Sequence, residues 1–129
     1  VFGAAGERDR AKRPEMGRVA AMHADFAILT DEDPRFEDRE AILNDIAAGA
    51  VGVGAKEGTD FIRLPDRREA IRVAVGMAVA GDMVLLAGKG HETTIDGARD
   101  GRPISMAWDE GAEAREAIHH AGYRRATGV

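Results

Sequence analysis

Residues 26–35 decide the fold of this chain; they read FAILTDEDPR. The apolar run Phe26–Leu29 is short and continuous, which is typical of a strand that is covered on both faces, as in a parallel sheet. The acidic loop Asp31–Arg35 follows directly, and the apolar spacing beyond it predicts a helix from about Arg39. The stretch therefore predicts a strand, a polar turn and a helix in succession.

The same succession recurs along most of the chain. Pro14 suits the first turn of a helix, because the N–H that it lacks has no partner there. Asp66 stands three residues before Glu69, an arrangement that resembles a capping box at the start of another helix. The predicted strands are Val1–Phe2 (the end of a strand), Phe26–Leu29, Asp60–Leu64 and Met83–Ala87, the last of them a buried one. This alternation predicts an α/β fold: an open, Rossmann-like, mostly parallel sheet with helices on both faces.

The C-terminal third departs from the alternation of strands and helices and contains residue pairs that favour tight turns. Asp96–Gly97 and Asp100–Gly101 are both favourable pairs for tight turns, so residues 93–106 predict a small hairpin. A last helix is expected after Asp109, and Gly122 is a natural end for it. We therefore expect one domain over residues 1–122 and a frayed tail over 123–129.

Composition excludes several classes of protein. The chain has 129 residues, 44% of them hydrophobic and 32% charged, which fits one globular domain and not a disordered chain. It has no cysteine, which excludes disulfides and thiol catalysis and indicates the cytoplasm. The net charge is -5, so nucleic acid is not an expected partner. Neither a signal peptide nor a run of roughly 20 apolar residues is present, and no membrane is expected.

Three charged or glycine-rich turns each follow a predicted strand: Gly3–Arg13, Asp31–Arg35 and Gly88–Glu92. In open α/β sheets ligands bind beyond the carboxyl ends of the strands. We therefore expect the three turns to meet along one edge of the sheet and to form a binding site there.

The residue types in these turns suit a zwitterion. Arg35 can form a bidentate pair with a carboxylate, and Asp33 or Glu32 can receive an ammonium. Arg8 can face a carboxylate of the ligand, and Glu92 adds a second carboxylate to the rim of the site. Each turn also has a purely structural interpretation. Gly3–Arg13 would be a solvated charge run, and Asp31–Arg35 a solvated acidic loop made rigid by Pro34. Gly88–Glu92 would be a glycine-rich turn with Lys89 and His91 in solvent. His91 by itself is more often a structural hydrogen bonder than a metal ligand, and no spacing supports a metal site.

Sequence patterns of complete catalytic sites are absent. Lys89 is followed by Gly90, so the phosphate-loop pattern is not fulfilled, and no nucleophile elbow is present. The chain therefore resembles a binding half-site, to which another domain would have to bring the chemistry.

These residues resemble the C-terminal domain of the MurE-type Mur ligases. Residues 2–17, FGAAGERDRAKRPEMG, are similar to the family stretch F-G-x-G-G-D-R-D-x-x-K-R-P-x-M-G. Glu32–Arg35 occupies the place of its D-N-P-R sequence, Gly88–Glu92 matches G-K-G-H-E, and Ala114–Ala117 resembles part of its C-terminal pattern. The resemblance covers nearly the whole chain and implies a domain that binds the amino acid to be added.

The resemblance also implies roles for single residues. The amino acid, usually meso-diaminopimelate, would be held by Arg8, by the loop Glu32, Asp33, Pro34 and Arg35, and by Gly88 and Glu92. It would be joined to UDP-N-acetylmuramoyl-L-alanyl-D-glutamate through an acyl phosphate made from ATP. ATP and Mg²⁺ would be bound mainly by a central ATPase domain, which would also be this domain's partner, and no catalytic residue is expected in the chain itself.

Two departures from the family pattern leave alternatives open. Asp33 replaces an asparagine, which favours an ammonium and makes ornithine or lysine possible substrates, whereas Arg35 favours a second carboxylate. The sequence also lacks the other ligase domains, so we expect it to be inactive alone. The competing interpretations are a stand-alone amino-acid-binding module and a folyl-polyglutamate-type ligase, against which Gly88–Glu92 argues.

Overall fold

The computed structural model describes residues 1–123; the tail expected over 123–129 lies outside the described residues except for Tyr123. Eight helices and strands occur in this part of the chain. In chain order they are α1 (Lys12–His23), β1 (Ala27–Leu29), α2 (Arg39–Gly52), β2 (Phe61–Arg63), α3 (Arg67–Met77), β3 (Thr94–Arg99), β4 (Arg102–Ala107) and α4 (Glu110–His120).

The parallel sheet is small and lies at the centre. β1 pairs in parallel with β2, with Ile28 opposite Ile62. On the other side of β1, Phe2 forms a parallel bridge to Leu29. All three residues of β1 are buried, as the continuous apolar run predicts. The mixed α/β fold with a C-terminal hairpin is confirmed.

Two apolar clusters cover the two faces of this sheet. Phe2 packs against a cluster that β1 and β2 form with α1 and α2. Its neighbour Val1 packs against a second cluster, made by α3, α4 and the β3–β4 hairpin. Because successive residues of extended backbone point to opposite faces, the two clusters lie on opposite sides of the sheet. Helices therefore flank the sheet on both faces, as expected.

The helix boundaries follow from local chemistry. The side chain of Asp66 accepts a hydrogen bond from the Glu69 N–H at 3.0 Å, which confirms the predicted cap of α3. Asp38 and Asp109 cap α2 and α4 in the same way. Gly122 follows α4 with φ of 78°, the left-handed conformation that commonly ends a helix.

The buried strand predicted at Met83–Ala87 is wrong. The side chains of Met83 and Leu85 are 90% and 68% exposed, and the segment is not a strand. Its pairing is with Val1, which donates to the Leu85 carbonyl at 2.8 Å and accepts from the Ala87 N–H at 2.9 Å. With one residue as its partner the segment forms no ladder. It borders an apolar groove of about 620 Å³ that also touches α1 and α3.

The hairpin is confirmed, but only one of its two expected turns is a turn. Asp100 and Gly101 both have positive φ, 52° and 71°, as a two-residue turn of type I′ requires. Asp96 and Gly97 lie inside β3, opposite Ser105 and Ile104. Position within the strand pair therefore overrides the local turn preference of Asp96–Gly97.

Candidate functional site at the converging turns

The first and second turns are in direct contact. The Gly6 N–H donates to the Asp33 carbonyl at 2.7 Å, and the Gly6 carbonyl accepts from Arg35 Nη1 at 2.8 Å. A Cβ on residue 6 would stand 2.0 Å from the Pro34 carbonyl oxygen, so only glycine permits this approach. The expected convergence of these two turns is thus present in the structure.

Lys89 joins the third turn to the second. Its Nζ donates to Asp33 Oδ1 at 2.8 Å and to Glu92 Oε2 at 2.6 Å, and its side chain is 0% exposed. The Asp96 N–H donates to the same oxygen of Asp33 at 2.8 Å. The alternative that placed Lys89 in solvent is therefore wrong, whereas His91 is exposed.

The Asp33–Lys89 pair is charged and internally satisfied. Burial raises the pKa of Asp33, but the hydrogen bonds from Lys89 and from the Asp96 N–H outweigh it and leave the pKa below its ordinary value. Burial lowers the pKa of Lys89, but its bonds to Asp33 and Glu92 outweigh that effect and raise the pKa. Lys89 thus occupies the place at Asp33 where the sequence analysis expects an ammonium of the ligand.

Glu32 lies against the Gly88 turn. Its Oε2 is 3.2 Å from the point that a Cβ on residue 88 would occupy, and Gly88 has φ of 104°. Burial, the largest cause, raises the pKa of Glu32, and the charges of Asp33 and Glu92 raise it further against the opposing effect of Lys89. Glu32 makes no hydrogen bond or ion pair with residues 1–123. Its carboxylate is therefore available to a ligand.

Arg35 is held by its backbone and by one side-chain nitrogen. Its φ is 53°, and its N–H donates to the Asp96 carbonyl at 3.0 Å. Apart from Nη1, its guanidinium makes no hydrogen bond within the described part of the chain. The side chain borders a cavity of about 430 Å³, whose lining also includes Glu7, Asp96 and Ser105. The remaining N–H donors can pair with a carboxylate.

Arg8 and Glu92 lie at the exposed rim of the three turns. Arg8 is exposed and makes no hydrogen bond to the residues that the structure describes. Glu92 uses Oε2 for Lys89 and keeps Oε1 free. The predicted site residues therefore lie on three turns that are linked by hydrogen bonds, with Arg8 on the exposed part of the first.

A buried arginine that the sequence analysis did not single out supports the first turn. Arg13 donates to both carboxylate oxygens of Glu37, at 2.6 and 3.0 Å, and to the Ala5 carbonyl at 3.1 Å. Glu37 in turn accepts from the Glu7 N–H at 2.9 Å. The hydrogen bond from Arg13 is the main cause that lowers the pKa of Glu37 to about 2. In the sequence Arg13 is one of several charged residues before Pro14, and no spacing pattern distinguishes it from the others.

Comparison with known proteins gives the family. The model of the family described as "Mur ligase, glutamate ligase domain" matches residues 1–90. The chain belongs to this Mur ligase family. The resemblance seen in its sequence is thereby confirmed.

Relatives and a solved structure agree with this assignment. The domain is 54% identical over 123 residues to a UDP-N-acetylmuramyl-tripeptide synthetase of Roseiflexus sp. (strain RS-1), covering 95% of this chain and 23% of that protein. It is 46% identical over 122 residues to a UDP-N-acetylmuramoyl-L-alanyl-D-glutamate--2,6-diaminopimelate ligase of Geobacillus kaustophilus (strain HTA426), covering 95% of this chain and 23% of that protein. A solved structure of a ligase with the same printed name superposes with a TM-score of 0.78 at 38% identity, covering 95% of this chain and 24% of that one.

The Mur ligase domain thus spans about a quarter of the length of these relatives. Within residues 1–123 no group of three or more His, Cys, Asp or Glu side chains is arranged to hold a metal ion. None of the described helices is long and apolar enough to cross a membrane.

Proposed function

We propose that this domain binds the amino acid that an ATP-dependent ligase adds to UDP-N-acetylmuramoyl-L-alanyl-D-glutamate in peptidoglycan synthesis. The observation that carries the proposal is the direct linkage of the three turns, because Gly6 bonds to Asp33 and Lys89 bonds to both Asp33 and Glu92. These linked turns carry two incompletely used guanidiniums and two carboxylates with free oxygens, namely those of Arg8, Arg35, Glu32 and Glu92. A diamino acid has the complementary charges. The names of the relatives are consistent with this substrate class.

The charge balance of the site favours meso-diaminopimelate over ornithine or lysine. The extra anion at Asp33 is neutralised by Lys89 at 2.8 Å, so it does not repel a carboxylate of the ligand. Arg35 keeps N–H donors that suit the distal carboxylate, which ornithine and lysine lack. We assign the carboxylates of the ligand to Arg8 and Arg35, and its amines to Glu32 and Glu92, with Gly88 leaving room beside Glu32.

In this proposal the domain orients the amine and does not carry the chemistry. ATP would phosphorylate the D-glutamate carboxylate of the acceptor and leave as ADP. ATP and Mg²⁺ would be bound mainly by a central ATPase domain, and the reaction would take place in the cytoplasm. Holding the amine in one orientation beside the activated carboxyl removes most of the entropic cost of a bimolecular step. Pro34 and the Asp33–Lys89 pair make the binding turns rigid, which reduces the cost of ordering them on binding.

A hybrid ligase tests the proposal. The 122 matched residues of the Geobacillus kaustophilus ligase are replaced by the corresponding part of this domain, and phosphate release from ATP is measured with acceptor and each amino acid. We expect release that depends on both acceptor and meso-diaminopimelate, with less from ornithine or lysine. A folded hybrid that releases phosphate with none of the three would reject the ligase role. If such a hybrid still bound a diamino acid in calorimetry, the stand-alone binding module would be favoured.

A further inference from the structure

A buried arginine outside the converging turns donates to a carbonyl in one of them and to a carbonyl just before another. Arg67, the first residue of α3, donates from Nη1 to the Asp31 carbonyl at 2.9 Å and from Nη2 to the Ala87 carbonyl at 2.9 Å. Asp31 immediately precedes Glu32, and Ala87 immediately precedes Gly88. The side chain of Arg67 is 0% exposed and has no direct access to a ligand.

These two bonds fix a distance between segments that are far apart in sequence. The guanidinium is planar, and its N–H donors have a fixed fork geometry. A single rigid group bonded to both carbonyls therefore sets how far the Glu32 turn stands from the Gly88 turn. Glu32 and Gly88 are the residues that directly follow the two bonded carbonyls, and Glu32 Oε2 lies beside Gly88.

The orientation of the guanidinium is itself fixed. Glu110, at the start of α4, accepts from Arg67 Nε at 3.1 Å and from Nη2 at 2.8 Å. The indole N–H of Trp108 donates to Glu110 Oε2 at 2.6 Å. Both charges are buried and paired, so rotation of Arg67 away from the turns would leave Glu110 without its cation.

We propose that Arg67 is a positioning residue, which sets the separation of the Glu32 and Gly88–Glu92 turns and through it the affinity for the amino acid. This inference rests on the proposed function for its ligand, but the placement of the turns can be measured without one. Besides its pair with Glu110, Arg67 gives one N–H to each of the two carbonyls that directly precede Glu32 and Gly88.

Two variants separate positioning from stability. Arg67→Lys keeps the charge beside Glu110, but one ammonium cannot reproduce the fork that reaches both carbonyls. Trp108→Phe removes the hydrogen bond to Glu110 and leaves both carbonyl bonds of Arg67 in place, so it is a control that lowers stability within the same cluster. Should Arg67→Lys fail to fold, the double variant Arg67→Gln/Glu110→Gln takes its place, because it leaves neither charge buried alone.

Kinetics of the hybrid ligase give the first readout. We expect Arg67→Lys to raise the KM for meso-diaminopimelate at least tenfold, with the KM for ATP unchanged and kcat within about threefold. Trp108→Phe should change the KM for the amino acid less than twofold. Equal rises in the two variants, or a KM for the amino acid that Arg67→Lys leaves unchanged, would overturn the inference.

Amide hydrogen exchange on the chain itself gives a second readout that needs no ligand. Arg67→Lys should speed the exchange of the Arg35 and Glu92 amides more than tenfold, and Trp108→Phe, corrected for its global stability, should not. If the hybrid is inactive with every amino acid but these amides respond as expected, the proposed function fails, and the role of Arg67 in setting the separation of the turns stands. If the amides do not respond, the positioning role fails whatever the hybrid does.

Discussion

Lys89 and Arg8 are both cations in the turns of this Mur ligase domain, but their surroundings are opposite. Lys89 is completely buried and divides its ammonium between Asp33 and Glu92. Arg8 is exposed in the neighbouring turn. The buried cation uses its bonding capacity within the protein, whereas the exposed one keeps its capacity for a ligand. Whether a charged side chain stabilises the fold or is available to bind a ligand therefore depends on its partners in space, and not on its presence in a sequence pattern.

Removing the buried cation should have the largest effect. Lys89→Met leaves the Asp33 carboxylate buried without its cation, so we expect the free energy of unfolding to fall by about 3–5 kcal/mol. Urea unfolding at pH 7 measures the change, with Arg8→Ala as the control, which should stay within about 0.5 kcal/mol of the unaltered domain. Similar losses in the two variants would remove the distinction between the buried and the exposed turn.

Arg35 tests whether an available guanidinium discriminates among ligands. Arg35→Ala should weaken binding of meso-diaminopimelate by about 2–3 kcal/mol, or about 30- to 150-fold, because a charged pair with the distal carboxylate is lost. Ornithine binding should change less than about threefold. Calorimetric titration of the hybrid ligase measures both affinities. Equal losses would mean that Arg35 holds the end that the two ligands share.

Acid should act on the support of the exposed turn through Glu37. Its pKa of about 2 lies below its ordinary value of 4.5, mainly because of Arg13, so the pair stabilises the folded state above about pH 4.5. That contribution is lost as the pH falls from 4.5 towards 2. Glu37→Gln should therefore flatten the fall in unfolding free energy over this range in urea titrations at successive pH values. Glu116→Gln, on the exposed part of α4, is the control, and an unchanged slope in Glu37→Gln would contradict this account.

The smallest expected effect concerns the contact between Gly88 and Glu32. Gly88→Ala adds both backbone strain at φ of 104° and a Cβ that would stand 3.2 Å from Glu32 Oε2. Gly81→Ala is the matched control, because its φ is 93° and its Cβ would meet nothing within 4 Å. We expect Gly88→Ala to cost about 0.5–1 kcal/mol more than Gly81→Ala in urea unfolding, since the flexible Glu32 side chain can partly withdraw. No difference would mean that strain alone accounts for the glycine.

Local sequence chemistry predicted the helices and their caps well. Asp66 and Gly122 act on backbone groups within a few residues of themselves, so their roles follow from spacing. Asp100–Gly101 forms the hairpin turn for the same reason, whereas Asp96–Gly97 does not, because pairing with β4 places it in mid-strand. The prediction of a buried strand at Met83–Ala87 was wrong, because burial depends on the residues that pack against a segment. The composition of the segment itself does not reveal those residues.

The sequence by itself determined the helices and their caps, the hairpin and the family, because these follow from periodicity, turn chemistry and motifs of residues close together in the chain. It also predicted that the three turns meet, because turns that follow parallel strands lie at one edge of a sheet. Only the tertiary structure decided which charges in those turns are available. Lys89 meets Asp33 across 56 positions, and Arg67 meets Glu110 across 43. The free energy of a charged group depends on its burial and on its partners in space, and neither can be read from its neighbours in sequence.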